Sequence, residues 1–240
     1  MAIDHLYFQL MAQALEKVKS SLSENRRVRV GCLSYPDMLV TRQQVIQIYP
    51  KLISEKFLLR EDYDKVRKWH GMPYLTEILD TTDFFDKLGC SVDYFDFKEF
   101  RGGEIVCDLN FPLDQRHEGE YDLVIDTGTL EHCFNVGVAF VNMCKLVAQS
   151  GVLVSAAPMT KINHGFWNFS PCAYGNFFRQ NNWELLFMAG FYKENGQLCQ
   201  AEIPENSRFS LPPESLAIVV SRRLVESTFD FPVQEKYRVL

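Results

Sequence analysis

Two histidines and a series of carboxylates at the ends of apolar runs are the residues of this chain best suited to chemistry. His164 stands in Asn163-His164-Gly165, ahead of Phe166, Trp167 and Phe169. An imidazole can take a proton from a hydroxyl near neutral pH, and histidine is the commonest general base. The aromatics are placed to wall a pocket, with Asn168 to orient a polar substrate. His132 follows Glu131 and is a second candidate for proton transfer. A plainer reading stands beside this one. Acidic side chains favour helix N-termini, and a loop histidine held by backbone needs no catalytic role. Asp96, Asp108 and Asp126 each close or nearly close an apolar run. An ionised carboxylate only accepts hydrogen bonds, so such positions suit the capture of hydroxyls or amines, or the capping of turns.

The elements that must position these residues are clearest from Glu120 to Pro158, EYDLVIDTGTLEHCFNVGVAFVNMCKLVAQSGVLVSAAP. Leu123, Val124 and Ile125 form a short apolar run ended by Asp126. Val136 to Val147 carries a helical stripe, with Glu131 and His132 at its start. Gly151 breaks the helix, and a second run begins at Val152. Apolar strands alternating with a helix imply a parallel sheet covered on both faces. Ligands bind such sheets beyond the carboxyl ends of the strands, where the polar candidates fall.

Elsewhere, helical spacing from Ile3 to Leu22 predicts an amphipathic opening helix over about 3–22. Strands are expected at Val28–Leu33, Val92–Phe97, Glu104–Leu109, around Leu123 and Val152, at Trp183–Met188 and at Leu216–Val220. Ile78, Leu79, Phe85 and Leu88 share a helix face closed by Gly89. Ser170-Pro171 starts a helix running to about Asn181. The segment from 38 to 76 exceeds a single crossover helix and reads as an insertion, or a lid, rich in aromatics. The stretch between the last two strands, with Asn195-Gly196 and Pro212-Pro213, reads as a long loop. The whole is expected to be one domain.

Net charge is -6 over 240 residues, and the pI is about 5.4. Without a Lys/Arg cluster, nucleic-acid binding is disfavoured. No apolar run reaches the roughly 20 residues of a membrane span, and no secretory signal is visible. Seven cysteines without a CxxC pair fit free thiols in the cytosol and point to no metal site. No glycine-flanked serine elbow or phosphate-loop lysine is present.

VIDTGTLEHCFNV (124–136), DTTDFFDKLGCSVDYFDF (80–97) and KINHGFWNFSP (161–171) resemble segments of the class I S-adenosylmethionine-dependent methyltransferases, in their small-molecule branch. The resemblance runs in order from about Arg27 to Arg223. It implies an α/β Rossmann-like fold, with seven mostly parallel strands, helices on both faces and an antiparallel last strand. It implies S-adenosylmethionine as cofactor, with Asp96 on the ribose and Asp93 and Glu99 as competitors for that role, Asp108 and Leu109 at the adenine, and Asp126, Thr127 and Gly128 where cofactor and substrate meet. The family's glycine-rich first loop is here RVRVGCLSYPDML (27–39), in which Gly31 and Tyr35 would take its place. The implied activity is methyl transfer to an oxygen of a small polar acceptor such as a sugar, phospho-sugar or secondary metabolite, with a homodimer left open. The altered loop keeps a second reading alongside: a methyltransferase-like binding or scaffold protein without cofactor chemistry.

Overall fold

The computed structural model describes residues 1–240 except 24–25, 205–206, 226–228 and 239–240. Its centre is a sheet with strands β2 (Val28–Leu33), β4 (Cys90–Asp96), β5 (Ile105–Val106), β6 (Tyr121–Asp126), β7 (Val147–Pro158), β8 (Trp183–Glu194), β9 (Gln197–Glu202) and β10 (Leu216–Arg223). Their spatial order is β5-β4-β2-β6-β7-β10-β8-β9. The first five pair in parallel. β10 lies antiparallel between β7 and β8, and β9 is antiparallel to β8. The sheet is therefore mostly parallel with an antiparallel last strand, as expected, but it has eight strands rather than seven.

The central strands are apolar because both of their faces are covered. Along β6, Leu123 and Ile125 face the core under α1 (His5–Ser21), α2 (Arg42–Ile48) and α4 (Thr81–Lys87). Val124 faces the opposite core, under α5 (Val136–Leu146) and α6 (Pro171–Gln180). α1 starts on Asp4, whose side chain accepts from the Tyr7 amide. The buried Tyr7 hydroxyl donates to the carbonyl of Val154 at 2.6 Å and contacts that of Asp126 at 3.2 Å, tying α1 to the carboxyl ends of β6 and β7.

The eighth strand corrects the long-loop expectation. Asn195 (φ 52) and Gly196 (φ 78) form a tight turn joining β8 to β9, the geometry that favours Asn-Gly in hairpins. The expected third strand shrinks to Ile105–Val106, since Asp108 turns the chain at its own side chain (below). The opening helix begins at His5, because Ile3 instead joins Ala2 in β1 (Ala2–Ile3), paired with β3 (Asp37–Met38). Glu131 and His132 precede α5 on a separate 3-10 turn, Leu130–His132. Among the described residues, no helix is long and apolar enough to cross a membrane.

The segment from 38 to 76 has two parts. α2 begins with a full capping box on Thr41 and Gln44, and Val45, Tyr49 and Leu52 join the core around Phe8 and Phe84. α3 (Tyr63–Trp69) instead reaches the carboxyl edge of the sheet.

Candidate active site

A crevice of about 1550 Å³ opens along that edge, lined from the exits of all five parallel strands. Ser34 and Tyr35 follow β2, Asp96 ends β4, and Cys107 to Asn110 follow β5. Thr127 and Gly128 follow β6, and Lys161 and His164 lie beyond β7. The volume exceeds the ~300–1,000 Å³ typical of one small ligand, so it has room for two.

The carboxylates differ in what they offer. Asp96 is largely buried, and one oxygen accepts from the Phe97 amide at 2.8 Å. Burial pushes its pKa up, a shift opposed by hydrogen bonds that include the Ser34 side chain. Asp108 is exposed and accepts from the amide and side-chain nitrogens of Asn110 at 3.0 and 2.7 Å. It lines the crevice while closing its own turn. Leu109 is buried beside it. Asp126 is fully buried and does not line the crevice. Its oxygens accept from the Gly128 and Thr129 amides and the Ser155 hydroxyl, at 3.2, 2.8 and 2.8 Å. Asp126 thus shapes the turn that presents Thr127 and Gly128. The Thr127 hydroxyl is buried without a hydrogen-bond partner.

The first loop departs from the expectation that Gly31 serves a ligand. Gly31 sits inside β2, where an added Cβ would meet the Tyr121 ring at 2.9 Å, and it does not line the crevice. The turn that glycine would favour falls at Ser34, whose φ is 62°. Tyr35 does line the crevice, and its hydroxyl bonds Asp80 at 3.0 Å. The Arg60 and Arg101 guanidinium groups lie 5.6 Å from its ring. Both arginines also donate to Asp37, at 2.7 and 3.1 Å, and His70 faces the same carboxylate at 2.9 Å. This network fastens α3 and the loop after β4 to the exit of β2.

His132 and His164 come together although 32 positions separate them in the chain. Their rings are 5.3 Å apart, above the buried Glu131. The Glu131 carbonyl accepts from the Phe166 and Trp167 amides, at 2.8 and 3.3 Å. An added Cβ on Gly165 would meet that carbonyl oxygen at 2.7 Å, so only glycine lets the two loops lie this close. Burial pushes both imidazole pKa values down, leaving the rings neutral and able to accept a proton. Glu131 is pushed up to about 8, mainly by burial and then by the charge of Asp126.

Asn168 does not reach the crevice. Its side-chain oxygen accepts from the Lys161 amide at 2.8 Å and closes the loop carrying His164. Nor do Phe166, Trp167 and Phe169 wall it: Phe166 and Trp167 group with Phe134, and Phe169 with Tyr174. The Trp167 indole turns outward because its N–H finds the carbonyls of Cys133 and Phe134, at 3.1 and 3.2 Å. Phe97 and Phe100 line the crevice instead. Sequence reasoning missed them, and it read Glu131 only as a helix start.

The fold is a doubly wound α/β domain with a crevice at the carboxyl edge of its sheet. No family model matches the chain, and no curated protein does. Solved structures similar in architecture include the CurJ carbon methyltransferase, 11% identical over 90% of this chain and 54% of that one, TM-score 0.47. Another is the 1,6-didemethyltoxoflavin-N1-methyltransferase of Burkholderia thailandensis, bound to its substrate and S-adenosylhomocysteine, at 12%, 89%, 77% and 0.45 for the same measures. TehB from Haemophilus influenzae gives 16%, 58%, 52% and 0.39. The chain spans about half the length of TehB and of CurJ.

Proposed function

We propose that the protein is an S-adenosylmethionine-dependent methyltransferase acting on an oxygen of a small polar acceptor, such as a sugar, phospho-sugar or secondary metabolite. One observation carries this reading: a single crevice sized for two ligands has acceptor carboxylates at one end and a histidine pair at the other. In this reading Asp96 accepts from the ribose hydroxyls, Leu109 and Asp108 border the adenine, and Tyr35 faces the first-loop side. Thr127 and Gly128 lie between cofactor and acceptor. Gly31, Asp126 and Asn168 act behind the crevice, by packing, turn formation and loop closure.

When bound, the cofactor supplies an electrophilic methyl group, so the protein's work is positioning and proton removal. The neutral His164 and His132 rings stand ready to take the hydroxyl proton. Glu131 beneath them favours the protonated imidazole whenever it is ionised. α3 and the aromatics Phe97 and Phe100 limit water at the cofactor end.

Calorimetry with S-adenosylmethionine and S-adenosylhomocysteine tests the proposal without knowledge of the acceptor. Binding of one molecule per chain is the expected result. Absence of heat at millimolar ligand would leave the scaffold reading.

A further inference from the structure

Glu131 is built into its place more firmly than a turn residue requires. Its side chain is 2% exposed, and Oε2 is buried with no hydrogen-bond partner. Gly128, at φ 99°, leaves room for Oε1, which would lie 2.9 Å from a Cβ there. Phe166 and Trp167 hold the Glu131 backbone from the other side. Two nitrogens approach the carboxylate: His164 Nε2 at 3.5 Å and His132 Nε2 at 4.0 Å from Oε1. One ligand atom from each of the three residues falls within 4.8 Å of the others. The positive charges acting on Glu131 come from the Met1 amine and Lys161. Among the described residues no lysine or arginine nitrogen lies within 4.0 Å of it.

A buried carboxyl oxygen without a partner is costly, and a cation bound beside it would favour the ionised form. Here the missing partner has a shaped place. Ligands about 2.0–2.1 Å from a tetrahedral ion lie roughly 3.3 Å from one another, so the Glu131–His164 separation of 3.5 Å already fits, and His132 Nε2, at 4.0 Å from Oε1, would move closer on binding. We propose that Glu131, His132 and His164 bind a divalent first-row transition ion of the zinc class. Two imidazoles and one carboxylate suit such an ion, whereas magnesium and calcium select oxygen donors. Three protein ligands leave a fourth position, and the half-exposed histidines turn it toward the crevice. A water or an acceptor hydroxyl bound there loses its proton more readily, as zinc-bound water does at a pKa of ~7. With the ion bound, both imidazoles would serve as ligands, and an acceptor hydroxyl on the ion would release its proton to water in the crevice.

The test is independent of methyl transfer. Chelator-stripped protein is titrated with zinc in the absence of cofactor, followed by calorimetry, and with cobalt, followed by its visible d–d absorption. One ion per chain, with a four- or five-coordinate cobalt spectrum, is the expected result. His164→Asn and His132→Asn, both altered at half-exposed positions and checked for folding by circular dichroism, should each weaken binding by about 100-fold or more, at least the upper range seen for second-shell losses. Unchanged zinc affinity in the double variant would place the ion elsewhere and overturn the site. So would preference for magnesium over zinc, or no binding by the folded wild type. If Lys161→Met bound zinc and the wild type did not, Lys161 would be the native counter-charge and the proposal would fail.

Discussion

Asp96 is a carboxylate that lines the crevice while accepting from the Phe97 amide, with the Ser34 side chain and the Lys98 backbone also bonding it. Asp96→Ala should leave the fold intact and weaken S-adenosylhomocysteine binding by about 1.5–3 kcal/mol, roughly 10- to 150-fold. Unchanged affinity in a folded variant would move the ribose contact elsewhere, with Glu99 next. The raised pKa of Asp96 adds a pH signature. Its acceptor form is lost on acidification at a higher pH than for a free aspartate, so cofactor affinity should begin to fall above the ordinary carboxylate range. An affinity flat down to that range would remove this role. Across the crevice, His164→Asn should lower turnover by about 10²–10⁴-fold while the cofactor still binds. Near-normal turnover with a known acceptor would end the role of His164 and turn attention to His132.

At the scale of elements, α3 is the part of the insertion that meets the crevice, through Asp62, Lys65, Val66, Trp69 and His70. Polar contacts on Asp37 hold it there, and Trp69 is 83% exposed. The apolar packing of α3 is confined to a small cluster of Val66 with Leu39, Leu75 and Ile78, and an element on so small a core opens more easily than the main core. Hydrogen exchange over residues 62–70 should therefore slow when S-adenosylhomocysteine binds. Equal exchange with cofactor shown to be bound would make α3 a static wall. α2 should not respond, since Val45 and Tyr49 are already in the core. The two halves were not separable in sequence, because both read as short helical fragments with aromatics, and only their neighbours differ. β2 was legible to the residue, Val28–Leu33, because a strand covered on both faces reads as a nearly continuous apolar run, interrupted here only by the half-buried Arg29. β9 was not: it is polar and mostly exposed, QLCQAE, and only the Asn195-Gly196 turn signalled it.

For the whole molecule, a ligand that binds only the folded state raises its stability by mass action, about 2.7 kcal/mol at 100 times the dissociation constant. For a chain of this size that is roughly 5–11 °C in thermal midpoint. S-adenosylhomocysteine should produce such a rise, and no rise at millimolar concentration would count against a cofactor site. The sequence by itself determined the succession of the central strands and their covering helices, because periodicity and apolar runs are local consequences of burial. It also determined that acidic residues stand at strand ends. Only the tertiary structure decided which of them face a ligand: Asp126 turned inward because Ser155 and two amides meet it, while Asp96 stayed at the crevice. Only the tertiary structure joined Glu131, His132 and His164, since that cluster depends on two loops meeting backbone to backbone at Gly165. Such contacts between distant segments leave no periodic trace in the chain.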